Sequence, residues 1–174
     1  MAQLKYGYST PIGEAGGIID LAPYAIDSYA NEEETGKLKF GVGVVQGTAP
    51  GKQVKLPVSA STAAKFEGVV VNRRTTEYDL EGNIHIRKDS AIGVMRYGRI
   101  YVRIATGVTP SYGKPLYMLN SGDEAGYFTT EASTTTGESP NTTTVNHVAV
   151  KGRFLGEADT TRGIAPVELF NEAN

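Results

Sequence analysis

The chain has 174 residues and a net charge of -2 at pH 7, the length of one domain or of one domain with an arm. Its 21 Gly, 8 Pro and 18 Thr make up about a quarter of the residues and favour turns and strands over helix, which excludes a helical bundle. With no Cys and no Trp there are no disulfides, thiolate metal sites or cysteine nucleophiles and no indole anchors, and no run approaches the roughly 18–20 apolar residues of a membrane helix.

Residues 2–35 show neither a helical nor a sustained strand period, and Pro11, Gly13, Gly16, Gly17 and Pro23 punctuate them. This predicts an extended N-terminal arm over 1–36. Within it Leu4, Tyr6 and Tyr8 alternate with Lys5 and Gly7, as in a short strand able to add to a sheet edge. Ile12, Ile18 and Ile19 supply further apolar anchors. The arm either reaches beyond its own domain or folds back on it. On the reaching alternative, removal of residues 2–30 leaves the body folded.

From residue 37 to 174 the pattern has period two and predicts a small antiparallel β-barrel or sandwich with at most one short helix. Strands are expected at 37–46, 53–57, 68–73 and 83–87, and a short helix at 59–66. A hairpin is expected over 91–105, turning at Arg96-Tyr97-Gly98. Its second strand puts Ile100, Val102 and Ile104 on one face and Arg99, Tyr101 and Arg103 on the other. More strands are expected at 115–119, 126–129, 146–150, 153–157 and 163–170. The Thr-rich residues 130–144, broken by Pro140, are too polar to offset ordering and read as a flexible excursion.

Charge is segregated along the chain. Residues 1–36 hold one base against six acids, 37–103 hold twelve bases against five acids, and 104–174 hold four against eight. Such blocks pair either within one chain or between subunits, fixing partner and register. Arg73, Arg74, Arg87, Lys88, Arg96, Arg99 and Arg103, with Tyr97 and Tyr101, have the ingredients of a nucleic-acid surface. The acidic flanks and a pI near 5.7 argue against phosphate and favour a protein partner with acidic patches.

No catalytic constellation emerges. His85 and His147 lie far apart in sequence, each in a predicted strand without an acid at useful spacing. Asp79, Glu81, Asp123 and Glu124 sit beside Gly in turn-like sequence. Gly47 to Lys52 approaches a phosphate loop, but it is one residue short, has no Ser or Thr after the Lys and no helix to open. The expectation is therefore no catalytic residue, no cofactor and no metal.

The order of the pieces carries a resemblance. A Gly- and Pro-rich arm precedes Phe40-Gly41-Val42-Gly43-Val44, then Ala63-Ala64-Lys65-Phe66-Glu67-Gly68-Val69-Val70, then the run from Ala91 to Val102 through Arg96-Tyr97-Gly98-Arg99. In this the chain resembles the head decoration or structural cement proteins of tailed bacteriophages. The resemblance implies a non-enzymatic β-barrel on the outside of an assembled head, bound to the major capsid protein at capsomer junctions, often as a trimer. It implies a place in the virion after synthesis in the host cytoplasm, without nucleic-acid or membrane partners. The expected capsid or subunit interface is Leu4, Tyr6, Tyr8, Ile12, Ile18, Ile19, Arg99, Tyr101 and Arg103. The alternative is a tail or fibre module that recognises carbohydrate or a host protein.

Overall fold

The computed structural model describes residues 12–59, 61, 65–72, 77–78, 84–136 and 143–170. In chain order its strands are β1 (Ala25–Asn31), β2 (Gly43–Gln46), β3 (Gln53–Lys55), β4 (Phe66–Val70), β5 (Glu77–Tyr78), β6 (Ile84–His85) and β7 (Ala91–Arg103). They are followed by β8 (Pro115–Met118), β9 (Phe128–Thr129), β10 (Ser133–Thr136), β11 (Thr143–Asn146), β12 (Val148–Phe154) and β13 (Ile164–Leu169). The fold is all-β, as the period-two pattern predicts. Of the helix expected at 59–66, residues 60 and 62–64 lie outside the described residues, and Phe66 opens β4.

Strands β1, β3, β2, β4 and β7 follow one another in that order, and β1 also pairs with β7, which closes a five-stranded barrel. β1 runs antiparallel to β7 from Ala25↔Tyr97 to Ala30↔Ala91, and parallel to β3 at Ala30↔Gln53 and Asn31↔Val54. Residues 25–31, placed in the arm by sequence, are thus a stave of the barrel. Removing residues 2–30 would take out nearly all of it, so that truncation does not leave an intact body. The strand escapes sequence reasoning because AIDSYAN carries polar groups at alternating and non-alternating positions alike, and only Tyr29 and Asn31 are buried in it.

The second sheet grows from the other half of β7, in the order β7, β13, β12, β8, β9. A parallel bridge, Ile104↔Phe128, brings β9 back to the end of β7. The predicted hairpin over 91–105 is instead one 13-residue strand. At its middle the partners change, with β1 pairing as far as Tyr97 and β13 beginning at Gly98. Gly98 has φ +123°, and a Cβ there would stand 2.7 Å from Tyr24 Cβ. The glycine marks the handover between sheets within a continuous strand rather than a turn. Likewise the strands expected at 146–150 and 153–157 merge into β12, with the register irregularity between Val150 and Arg153.

Buried valines explain why these halves do not separate. On β2, Val44 enters the barrel core and Val45 the core of the second sheet; on β4, Val70 and Val69 divide the same way, and on β7, Val94 and Met95. A wall buried on both faces needs consecutive apolar residues instead of alternation, which is what Val44-Val45, Val69-Val70-Val71 and Val94-Met95 provide. Each such side chain contributes about 1.5–3 kcal/mol of transfer free energy.

The Thr-rich segment read as a flexible excursion contains a two-stranded ladder, Ser133↔Asn146 to Thr136↔Thr143, with Thr135 and Thr144 hydroxyls 3.0 Å apart. β-branched threonines suit a strand even where little surface is buried. Residues 137–142 at its tip lie outside the described residues. His147 secures the base, its Nδ1 2.7 Å from the Glu131 carbonyl and its Nε2 3.0 Å from the Thr134 hydroxyl.

Candidate functional site

On the second half of β7, alternation sends Ile100 and Val102 into the core and Arg99, Tyr101 and Arg103 to the outer face. Residues 12–20 are laid across that face as a strap. Tyr101 N–H donates to the Gly17 carbonyl at 2.9 Å, Gly16 N–H to the Tyr101 carbonyl at 2.7 Å, and Ile19 N–H to the Arg99 carbonyl at 3.1 Å. An antiparallel bridge, Ile18↔Ile100, completes this short edge. Ile12, Ala15 and Ile19 cover Tyr101 and Ile164 in a small apolar cluster, leaving Tyr101 9% exposed. A Cβ at Gly13 would lie 2.6 Å from the Tyr101 ring, so this crossing requires glycine.

Ion pairs fasten both ends of the strap. Arg162 donates to the Ile12 carbonyl at 2.6 Å, to Glu14 at 3.2 Å and to Asp159 at 2.7 Å. Asp20 accepts from Arg99 at 2.9 Å. Next to it, Arg99, Glu168 and Arg153 stand opposite one another on β7, β13 and β12. The Glu168 carboxylate accepts from Arg99 Nε at 3.0 Å, and from Arg153 Nε at 2.9 Å and Nη2 at 2.7 Å. Burial alone would raise the Glu168 carboxyl; the hydrogen bonds from Arg99 and Arg153 outweigh it and hold the group below its ordinary range. The same bond to Glu168, followed by that to Asp20, raises Arg99.

Of the interface residues expected from sequence, the fold brings Ile12, Ile18, Ile19, Arg99 and Tyr101 together in this one patch. Arg103, further along the same face, is engaged elsewhere, its Nε donating to the Phe40 carbonyl at 3.0 Å. Leu4, Tyr6 and Tyr8 lie outside the described residues. Sequence reasoning missed Asp20, Arg153, Arg162 and Glu168. Only strand order and register place them beside Arg99 and the strap, and no local spacing encodes either.

The segregated charge is matched within the chain. Five of the six acids of residues 1–36 meet a base: Glu14 with Arg162, Asp20 with Arg99, Asp27 with Arg96, Glu32 with Lys55 and Glu34 with Lys88. The sixth, Glu33, accepts the Leu56 N–H at 3.0 Å. Four of the five bases come from the positive middle block. Exposed pairs of this kind are screened by solvent and add little stability, so their role is to set where the segment lies more than how strongly it holds.

A family model described as structural cement protein (E217 gp24/Pam3 gp6) matches residues 2–170. The chain belongs to the phage structural cement proteins. Among solved structures, this cement-family chain is similar to a chain from the capsid of Myoviridae phage XM1. The two share 18% sequence identity and a TM-score of 0.66 over 95% of each chain, a likeness of fold. The search of curated proteins returned no match. Membership makes the protein a structural component of a phage.

Proposed function

We propose that this protein is a non-enzymatic cement that binds the outer surface of an assembled phage head, contacts the major capsid protein and bridges neighbouring capsomers. It acts in the virion after synthesis in the host cytoplasm, as a homo-oligomer with a trimer favoured, and needs no cofactor, nucleic acid or membrane. The observation that carries this reading is the family match, which spans the barrel body and also the residues before the strap. Stabilising a shell requires tighter binding to the assembled lattice than to free capsid subunits, because only differential affinity shifts the assembly equilibrium. Two tethered contacts provide that. If the body grips one capsomer while the Leu4-Tyr6-Tyr8 strand joins another, the second contact forms at an effective concentration on the order of millimolar. Opening the seam then breaks both.

The test is deletion of residues 2–11, which precede the strap and leave every described strand in place. The shortened protein is expected to melt as the full chain does and to bind purified heads at least about tenfold more weakly in co-sedimentation. Unchanged binding would remove the bridging role from the N-terminal segment. A full chain that binds host cells or glycans and ignores heads would favour the tail-module reading instead.

A further inference from the structure

The outer face of the second sheet is covered at one end and, among the described residues, bare at the other. At the covered end, the strap lays Ile12, Ala15 and Ile19 on Tyr101 and Ile164, and Asp20 places a carboxylate on Arg99. At the bare end, the Arg153 guanidinium stands 5.4 Å from the Tyr112 ring centroid and 5.8 Å from that of Phe170. These rings are 67% and 39% exposed. Glu168 lies midway, shared by Arg99 and Arg153, so the two ends are built around the same cross-strand row. Exposed Lys114, two residues from Tyr112, adds positive charge at the bare end.

We propose that the Tyr112–Arg153–Phe170 end is a docking surface for an extended acidic and apolar segment of a neighbouring protein. The chemistry of the occupant is shown by the other end of the row, where this face already accepts a segment that carries isoleucines and an aspartate. The guanidinium is pre-organised between two rings, and Glu168 occupies one of its edges through Nε and Nη2. Among the described residues its remaining N–H groups meet no carboxylate, and they can receive one as Arg99 offers Nη1 to Asp20. Tyr, Phe and Arg together are also the composition that concentrates binding energy at protein interfaces. The inference rests on the proposed role for the neighbour's identity, namely a shell protein, but the chemistry of the surface stands apart from it.

Two measurements test the surface. In the first, the acetylated and amidated peptide Gly-Ile-Ile-Asp-Leu-Ala is titrated into the isotope-labelled full chain. Saturable amide shifts are expected around Tyr112, Arg153 and Phe170. They should vanish in a Tyr112→Ser variant, and also when lysine replaces the aspartate of the peptide. Shifts confined to Arg99, Tyr101 and Ile164, which would signal displacement of the strap, or no shifts at millimolar peptide, overturn the proposal. In the second, Tyr112→Ser and Arg153→Glu are expected to weaken co-sedimentation with heads on the order of tenfold. Tyr112 is mostly exposed, so its variant keeps the test valid if Arg153→Glu fails to fold. Wild-type affinity in Tyr112→Ser would overturn this surface and leave the cement role standing. If the peptide binds as expected but the wild-type chain ignores heads, the role fails and the surface stands.

Discussion

Glu168 shows how one carboxylate can organise a surface. It is the hinge of a row of charges, only 18% exposed at the side chain and held by two guanidiniums from the strands on either side. Because these bonds lower its folded pKa, their contribution is complete above the unfolded carboxylate value of about 4.3. It is lost as pH falls through the folded value. Glu168→Gln should therefore lower stability at pH 7 by about 1–2 kcal/mol, a melting shift of roughly 2–8 °C. The gap from wild type should narrow as pH falls below the ordinary carboxylate range and the native carboxyl takes up its proton. A gap that persists undiminished in acid would mean that packing, and not the charge row, is what Glu168 supplies. Residue-level reading of the sequence found Arg99 and Tyr101, since period-two alternation is local. It could not find Glu168, which is 69 positions from Arg99 and adjacent only through register.

Among the elements, the strap joins a segment with no sequence period to the most periodic strand in the chain. Only Ala15 in it is fully buried, and its order derives from the small apolar cluster over Tyr101, from backbone bonds to β7 and from the ion pairs with Arg99 and Arg162. Arg162→Ala removes two ion pairs and the bond to the Ile12 carbonyl at one stroke. Exchange of the Gly16, Ile19 and Tyr101 amides should then quicken by about tenfold, while amides of the barrel wall keep their protection. Equal protection in both proteins would show that the apolar cluster over Tyr101 holds the strap without help. The elements also show where patterning misleads. Arg96-Tyr97-Gly98 has the composition of a turn, yet the backbone runs straight on because a new partner takes over at Gly98. The polarity of the Thr-rich segment likewise concealed the β10–β11 ladder, since burial and strand propensity are separate properties and threonine has only the second.

For the molecule as a whole, the class of fold was legible from Gly, Pro and Thr content and from period two, and the two-faced burial of the wall is visible in its paired valines. A barrel or sandwich was expected, but the stave that closes the barrel was not legible, because β1 comes from the segment that composition assigns to the arm. Two truncations separate these parts. Removal of residues 2–11 should leave a single cooperative melting transition, whereas removal of residues 2–31 deletes β1 and should abolish it, with loss of dispersed amide resonances. A cooperative transition in the longer truncation would mean that four strands suffice for the barrel.

Strand β7 gives the particle component a mechanical character as well. Its 13 residues run unbroken for about 40 Å through both halves, flanked by β1 and β4 at one end and by β13 and the strap at the other. A tug applied at the outer face is thereby passed lengthwise along one continuous backbone into the barrel. Ladders on both sides of β7 would load in shear along the strand rather than peel open bond by bond, a tendon rather than a joint.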